Sequence, residues 1–209
     1  MNYRVIPVTS YAQNASLISC PSSKRAAVID PGGDIQRIIR LAEQDGLHLE
    51  KILITHGHFD HCGAALDLAE QLAIPIEGPH PDDEFLLRSL PEWAAMAGFP
   101  PTRSFSPQRW LMQGDRVSVG NIELQVLHCP GHTPGHIVFY QPDSALAFVG
   151  DVLFQGSIGR TDFPRGNQAE LLRSIKQRLF PLGDEVRFVP GHGAESSIGE
   201  ERRHNPFLN

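Results

Sequence analysis

Short runs of β-branched and apolar residues predict strands in the first part of the chain. Near the amino terminus these runs are YRVIPV, ASLISC and AAVID, separated by polar or proline-containing breaks. The period then changes, because Ile35, Ile38 and Ile39 recur at helical spacing after Asp34, a residue type that caps helices. KILIT predicts a buried strand, HCGAALDLAEQLA a helix, and IPIEG a short strand. This alternation of strands and helices favours a layered α/β fold.

The second part of the chain continues the mixture of strands and helices. DDEFLLRSL and EWAAMAG predict two helices, and RVSVG with IELQVLH predicts a hairpin that turns at Gly120 and Asn121. HIVFY, ALAFVG and VRFVP predict further strands, and helices are predicted over 167–180 and 196–204. Two strand-rich blocks with interspersed helices predict two sheets packed face to face with helices outside. The length of 209 residues favours a single domain over 1–209.

Composition narrows the class of protein. With 41% hydrophobic and 20% charged residues, the chain has the composition of a soluble globular protein. A net charge of -6 provides no general basic surface, which disfavours nucleic acid as a partner. Cys20, Cys62 and Cys129 cannot form a fully paired disulfide framework, which fits a reducing compartment. No signal peptide and no apolar stretch of membrane-spanning length is visible, so we expect no membrane partner and a cytoplasmic location.

The segment THGHFDH, at 55–61, concentrates metal-ligand residue types at the end of a predicted strand. His56 and His58 are two positions apart, so in an extended loop they can present both imidazoles to one cation. Asp60 and His61 fall where the next helix begins and point to a neighbouring position. One segment can therefore supply ligands to two adjacent metals.

Three more candidate ligands follow strands through a glycine: His132 in CPGHTPGH, Asp151 in FVGD and His192 in FVPGH. Ligands at strand ends gain rigidity from the sheet. The seven candidates suffice for two sites: His56, His58 and His132 on the first, Asp60, His61 and His192 on the second, and Asp151 as a bridge. Imidazole with carboxylate suits zinc, and also iron or manganese. We therefore predict two divalent transition metals, most readily zinc.

These motifs resemble the metallo-β-lactamase superfamily over the whole chain. More narrowly, THGHFDHCGA, HCPGHTPGH, GDVLFQGSIGRTDFP, PGHG and ERRHNPF are similar to the short form of its glyoxalase II branch. The resemblance implies an αββα sandwich of two mixed β-sheets with helices on the outer faces and a dinuclear site at one edge. It also implies hydrolysis of glutathione thioesters, a small-molecule substrate class, and assigns the same seven residues to the metals.

The chain departs from two patterns in this superfamily. The best-known zinc β-lactamases replace the last histidine of the cluster motif and use a cysteine ligand, so His61 and Asp151 argue against a lactamase. Full-length glyoxalase II enzymes carry a carboxy-terminal helical domain that supplies basic contacts to glutathione, whereas this sequence stops at Asn209. We therefore expect S-lactoylglutathione to be hydrolysed with a raised KM and to be preferred only weakly over smaller thioesters.

Other residues have weaker support. Four arginines are candidates to bind a substrate carboxylate, with solvated positions as an equal alternative: Arg160, Arg165, Arg202 and Arg203. Asp30 is expected either to accept a hydrogen bond from a ligating imidazole or to cap a turn. His136 is expected to support or pack against the ligands rather than to bind metal.

The predicted chemistry is hydrolysis without a serine or cysteine nucleophile, in agreement with the lack of a G-x-S-x-G motif. A metal pair supplies a hydroxide near neutral pH, and Asp60 is predicted to orient the water and accept its proton, giving a carboxylic acid and a thiol.

Alternative functions remain. The main alternative is a persulfide dioxygenase, an enzyme class of the same fold that uses a single iron. Of the seven candidate ligands, only His56, His132 and Asp151 match the iron ligands of that class. A phosphodiesterase or RNA-processing nuclease is disfavoured by the acidic balance, and a non-catalytic metal-binding module by the complete ligand set.

Overall fold

The computed structural model describes residues 1–208 and contains two mixed sheets. The strands of the first sheet are β1 (Asn2–Val8), β2 (Gln13–Ser19), β3 (Arg25–Ile29), β4 (His48–Leu53) and β5 (Ile76–Glu77). They are ordered β1-β2-β3-β4-β5. The pairs β1/β2 and β2/β3 are antiparallel, and β3/β4 and β4/β5 are parallel.

The second sheet combines an antiparallel meander with one parallel pair. The strands of the second half of the chain are β6 (Arg116–Val119), β7 (Ile122–His128), β8 (Ile137–Gln141), β9 (Leu146–Gly150), β10 (Leu153–Phe154), β11 (Ser157–Ile158), β12 (Arg187–Pro190) and β13 (Ser196–Ser197). The sheet order is β13-β12-β9-β8-β7-β6, in which β9 and β12 are parallel. Strands β10 and β11 form a separate ribbon.

The helices lie outside the two sheets. They are α1 (Ile35–Gln44), α2 (Phe59–Cys62), α3 (Ala65–Leu72), α4 (Glu84–Arg88), α5 (Leu90–Met96), α6 (Gln168–Ser174) and α7 (Ile198–His204). No helix within residues 1–208 is both long enough and apolar enough to cross a membrane.

Alternating side chains on the central strands separate the core into layers. On β3, Ala26 and Val28 pack in the apolar cluster with α1 and α3, whereas Ala27 and Ile29 pack in the cluster between the sheets. On β9, the inward side chains join the cluster between the sheets and Val149 joins the cluster with α6 and α7. Because successive strand residues point to opposite faces, both faces are buried. The predicted αββα sandwich is confirmed.

Local differences from the predicted elements have identifiable causes. The helix predicted over 61–73 is two helices, because the backbone N–H of Ala64 donates to the carbonyl oxygen of Pro31 (3.3 Å) and interrupts the helical ladder. Asp34 precedes α1 as predicted, but its carboxylate accepts from the backbone N–H of Thr9 (2.8 Å) and makes no side-chain capping bond. The ribbon of β10 and β11 was not predicted, since each strand has only two residues.

Two glycines shape the sheet edge at which the candidate ligands lie. Gly150 ends β9 at φ +49°, and a Cβ there would lie 2.7 Å from Thr55 Oγ1 and from His136. Gly191 follows β12, and a Cβ there would lie 2.1 Å from Asp151 Oδ1. The glycines that precede the candidate ligands therefore give the turn and the close approach that bring the strand ends together.

Candidate functional site

Three imidazoles converge between the end of β4 and the end of β7. His58 Nδ1 lies 3.1 Å from His56 Nε2 and 3.0 Å from His132 Nε2. His56 and His132 are buried, and His58 is half-buried at the start of α2. Three nitrogens at this spacing form a group that can hold one cation, here termed the first triad.

A second group of ligand atoms lies beside the first triad. His192 Nε2 lies 3.2 Å from Asp60 Oδ2, and His61 Nε2 lies 3.8 Å from the same oxygen. Asp60 and His61 come from α2, while His192 follows β12. These residues, here termed the second triad, form another group that can hold a cation.

Asp151 stands between the two triads. Its carboxylate oxygens lie 3.6 Å from His132 Nε2 of the first triad, and 3.3 Å from His61 Nε2 and 3.8 Å from His192 Nε2 of the second. A carboxylate at this position can contact two neighbouring cations. The structure thus brings together all seven side chains that the sequence analysis selected.

The chemistry of these groups fits divalent metals. His61 Nε2 and Asp151 Oδ1 are fully buried and lie 3.3 Å apart without hydrogen-bond geometry, a costly arrangement that a bound cation would relieve. Burial and the adjacent His132 lower the pKa of His58 to about 3, which keeps its lone pair available. Although burial opposes it, His61 lowers the pKa of Asp151 well below its usual value, so this carboxylate is ionised.

The pKa of His61 also indicates that a positive charge is favoured at this position. Burial opposes protonation of its ring, but the carboxylates of Asp151 and Asp60 outweigh burial and raise the pKa of His61 well above 6.5. Asp60 and Asp151 therefore favour a positive charge at this position, which a bound cation would supply.

Buried hydrogen bonds fix the orientation of the ligand rings. Asp30 Oδ2 lies 2.9 Å from His61 Nδ1, and the same carboxylate accepts from the backbone N–H (2.7 Å) and the hydroxyl (2.6 Å) of Thr55. Thr55 Oγ1 also lies 3.0 Å from His56 Nδ1. His132 Nδ1 donates to the carbonyl oxygen of Arg160 (2.7 Å). Each of these contacts leaves Nε2 of the ring directed into its triad.

His136 lies next to the ligands without facing either triad. Its ring stacks on His56, with centroids 4.5 Å apart, and its Nε2 accepts from the backbone N–H of Asp151 at 3.0 Å. It therefore supports Asp151 through the main chain.

Asp83 is a supporting residue that the sequence analysis missed. It is fully buried, and its carboxylate accepts from the backbone N–H groups of Gly57 (2.9 Å) and Gly135 (2.6 Å) and from the hydroxyl of Thr133 (2.8 Å). Burial raises its pKa to about 6. Gly57 lies between two ligands of the first triad, and Thr133 follows the third. Asp83 thus clamps together the two loops that carry this triad.

A cavity of about 970 Å³ opens over the two triads. Its polar lining includes Asp60, Asp151, His58, His132 and His192. Much of the remaining lining is apolar, and six of these residues are here termed the apolar wall: Tyr11, Phe59, Leu86, Trp93, Met96 and Ala97. A volume of this size accommodates an organic substrate rather than only water and metal.

The four candidate arginines occupy different places. Arg160 lines the cavity, where it pairs with Asp162 (2.7 Å) and stacks over Phe163. Arg165 does not line the cavity; it stacks over Phe85 instead.

Arg202 and Arg203 lie on α7, which packs through Ile198 in the cluster with α6. Both pair with Asp184, and neither lines the cavity. Of the four candidate arginines, only Arg160 lies where it can contact a substrate in the cavity.

The sequence pattern of the metallo-beta-lactamase superfamily matches residues 8–192, and the chain belongs to this superfamily. It is 48% identical over 210 residues to hydroxyacylglutathione hydrolase GloC of Haemophilus influenzae, with 100% of this chain and 99% of that protein covered.

Two solved structures have nearly the same fold. BLEG-1 B3 metallo-beta-lactamase has a TM-score of 0.91 at 35% identity, covering 99% of each chain. TTHA1623 in a di-iron-bound form has a TM-score of 0.90 at 39% identity, covering 98% of this chain and 100% of that one.

Proposed function

We propose that this protein is a metal-dependent thioester hydrolase that cleaves S-lactoylglutathione or related acyl thioesters into a carboxylic acid and a thiol. The observation that carries the proposal is the pair of complete triads with Asp151 between them. The name of the Haemophilus relative supports the substrate class, because that protein is a hydroxyacylglutathione hydrolase over the same length.

The proposed cofactor is a pair of divalent transition metals, zinc in the first instance, with iron or manganese as alternatives. His56, His58 and His132 would hold one ion, Asp60, His61 and His192 the other, and Asp151 would contact both. When bound, such a pair lowers the pKa of a water towards neutrality and polarises the carbonyl oxygen of the thioester.

Asp60 is proposed as the catalytic carboxylate. It lines the cavity as well as the second triad, so it meets both the metal position and the space available to substrate. Burial opposes ionisation, but His61 and the hydrogen bond with His192 lower the pKa of Asp60 below its usual value. The ionised carboxylate can orient the attacking water and accept its proton. The water oxygen then bonds to the carbonyl carbon, the carbon–sulfur bond breaks, and the thiol leaves with a proton.

Arg160 is proposed to face a carboxylate of the substrate, since it supplies the arginine of the cavity lining. We further propose that residues 1–209 form a single domain and that the protein is cytoplasmic. The three cysteines support a reducing location, because all are free and buried in the structure.

A single-iron persulfide dioxygenase remains the second candidate, because His132 Nε2 lies within 3.6 Å of Asp151 and completes a possible site with His56. A complete second triad favours the hydrolase, since the dioxygenase would leave Asp60, His61 and His192 without a role.

The test compares substrate classes on one metal-loaded preparation. We expect thiol release from S-lactoylglutathione without oxygen uptake, and slower turnover of a β-lactam. Oxygen consumed in proportion to a glutathione persulfide would instead assign the dioxygenase. Faster hydrolysis of the β-lactam than of every thioester would contradict the proposal.

A further inference from the structure

The apolar wall borders the metal centre directly. The carbonyl oxygen of Tyr11 accepts from His192 Nδ1 at 3.2 Å, while the Tyr11 ring packs edge-on against Phe59, with centroids 5.5 Å apart. The Tyr11 hydroxyl donates to the carbonyl oxygen of Ala97 at 3.3 Å. The wall is therefore connected to the second triad and to the end of α5, and a substrate held at the metals must lie beside it.

The wall includes large apolar side chains that are exposed. Four large apolar side chains are exposed within residues 1–208, and two of them, Tyr11 at 40% and Met96 at 78%, belong to this wall. Trp93, one helical turn before Met96, also faces the cavity and is half-buried. Exposed apolar side chains that line a cleft are typical of a place where a ligand is buried.

The charges of the cavity do not match glutathione well. Glutathione is anionic at neutral pH and carries a carboxylate at each end. Apart from histidines, Arg160 supplies the cationic side chain of the lining within residues 1–208, and it is already paired with Asp162. The cavity therefore offers much apolar contact and little cationic contact to the remote parts of a substrate.

We propose that the apolar wall is a subsite for an apolar group of the substrate, so that this protein prefers thioesters carrying an extended alkyl or aromatic group. This inference rests on the proposed thioester hydrolysis. This apolar group belongs either to the acyl part or to the thiol part of the thioester. In both cases it would make the same apolar contact with the wall. Each fully buried methylene improves binding by about fourfold, and a partly buried one by less.

Binding without hydrolysis provides the first test. S-Methylglutathione and S-hexylglutathione are thioethers that cannot be hydrolysed, and titration calorimetry on metal-loaded protein gives both dissociation constants. We expect the hexyl compound to bind at least about tenfold more tightly. A ratio below tenfold would overturn a subsite on the acyl side.

Hydrolysis of two substrate series identifies which part of the substrate contacts the wall. The acyl series compares acetyl with hexanoyl glutathione, and the thiol series compares acetyl esters of ethanethiol and hexanethiol. We expect kcat/KM to rise by about tenfold in at least one series, and a smaller rise in both would overturn the proposal. If no thioester is cleaved while the thioethers show the expected preference, the proposed function fails and the apolar subsite stands.

Matched variants connect the preference to the wall. Met96→Ala and Met112→Ala remove the same exposed side chain, but only Met96 lines the cavity. We expect Met96→Ala to reduce the hexyl-to-methyl ratio by about threefold and Met112→Ala to leave it unchanged. Trp93→Ala should reduce it further, and the exposed Met96 keeps the test valid if the half-buried tryptophan is needed for folding. Equal effects of the two methionine variants would contradict the proposal.

Discussion

The loops that carry the two triads and the apolar wall enclose the same cavity but are held by different contacts. The loops that carry the first triad are fixed by buried charged hydrogen bonds, such as those of Asp30 with Thr55 and of Asp83 with Gly57. In the wall, the Tyr11 ring packs edge-on against Phe59 and Phe99, those two rings are tilted against each other, and Met96 is exposed. Buried charged networks tolerate little change, whereas an exposed apolar surface tolerates substitution. Substitutions in the loops should therefore affect chemistry, and substitutions in the wall should affect selectivity.

The largest effect on activity is expected at Asp60, which belongs to the second triad and also lines the cavity. Asp60→Asn should lower kcat for thioester hydrolysis by on the order of 10²-fold or more, because it removes a ligand and the proposed proton acceptor. Asp67→Asn, on the exposed face of α3, is the matched control and should stay close to the parent rate. Steady-state thiol release measures both. Turnover near the parent value in Asp60→Asn, with metal still bound, would remove the role assigned to this residue.

An intermediate effect is expected at Asp83, which touches no proposed ligand side chain. Asp83→Asn replaces an acceptor of three hydrogen bonds with an amide, so metal affinity should fall by about 10- to 100-fold. Asp67→Asn is again the control, because its carboxylate is exposed and pairs with Arg103 away from the ligand loops. Competition with a chelator gives the affinities. The same affinity in both variants would show that the two loops hold their geometry without this clamp.

The smallest effect is expected at Arg160, an exposed side chain already paired with Asp162. Arg160→Gln should raise KM for S-lactoylglutathione by about three- to tenfold, the range of one weakened charged hydrogen bond. Arg165→Gln is the control, since that guanidinium stacks over Phe85 outside the cavity lining. Equal KM values for the two variants would mean that the substrate carboxylates lie elsewhere.

The sequence predicted the ligand loops far better than the wall. His132, Asp151 and His192 were recognisable without coordinates, because each follows an apolar run and a glycine, a residue that favours sharp turns. EWAAMAG reads as an ordinary amphipathic helix, and only the fold shows that Trp93 and Met96 border a cavity instead of the core. Asp83 was hidden for a similar reason, because its partners lie 26 to 52 residues away along the chain.

Long-range contacts also explain why two of the candidate arginines lie away from the cavity and why the predicted helix is interrupted after α2. Arg202 and Arg203 are close to His192 in sequence, yet α7 packs beside α6 and directs them to Asp184. The contact between Ala64 and Pro31 interrupts a helix whose sequence pattern is continuous. Short-range patterns predict which residues a strand or helix presents, whereas long-range contacts decide where those residues lie.

Metal stoichiometry coupled to activity tests the central claim most directly. Protein stripped with a chelator is titrated with zinc, and with iron or manganese in parallel, while bound metal and thiol release from S-lactoylglutathione are measured on the same samples. Two complete triads with Asp151 between them predict two ions per chain and no substantial hydrolysis after stripping. Hydrolysis should reach its plateau only with the second ion. Saturation at one ion per chain with full thioesterase activity would contradict the two-metal account.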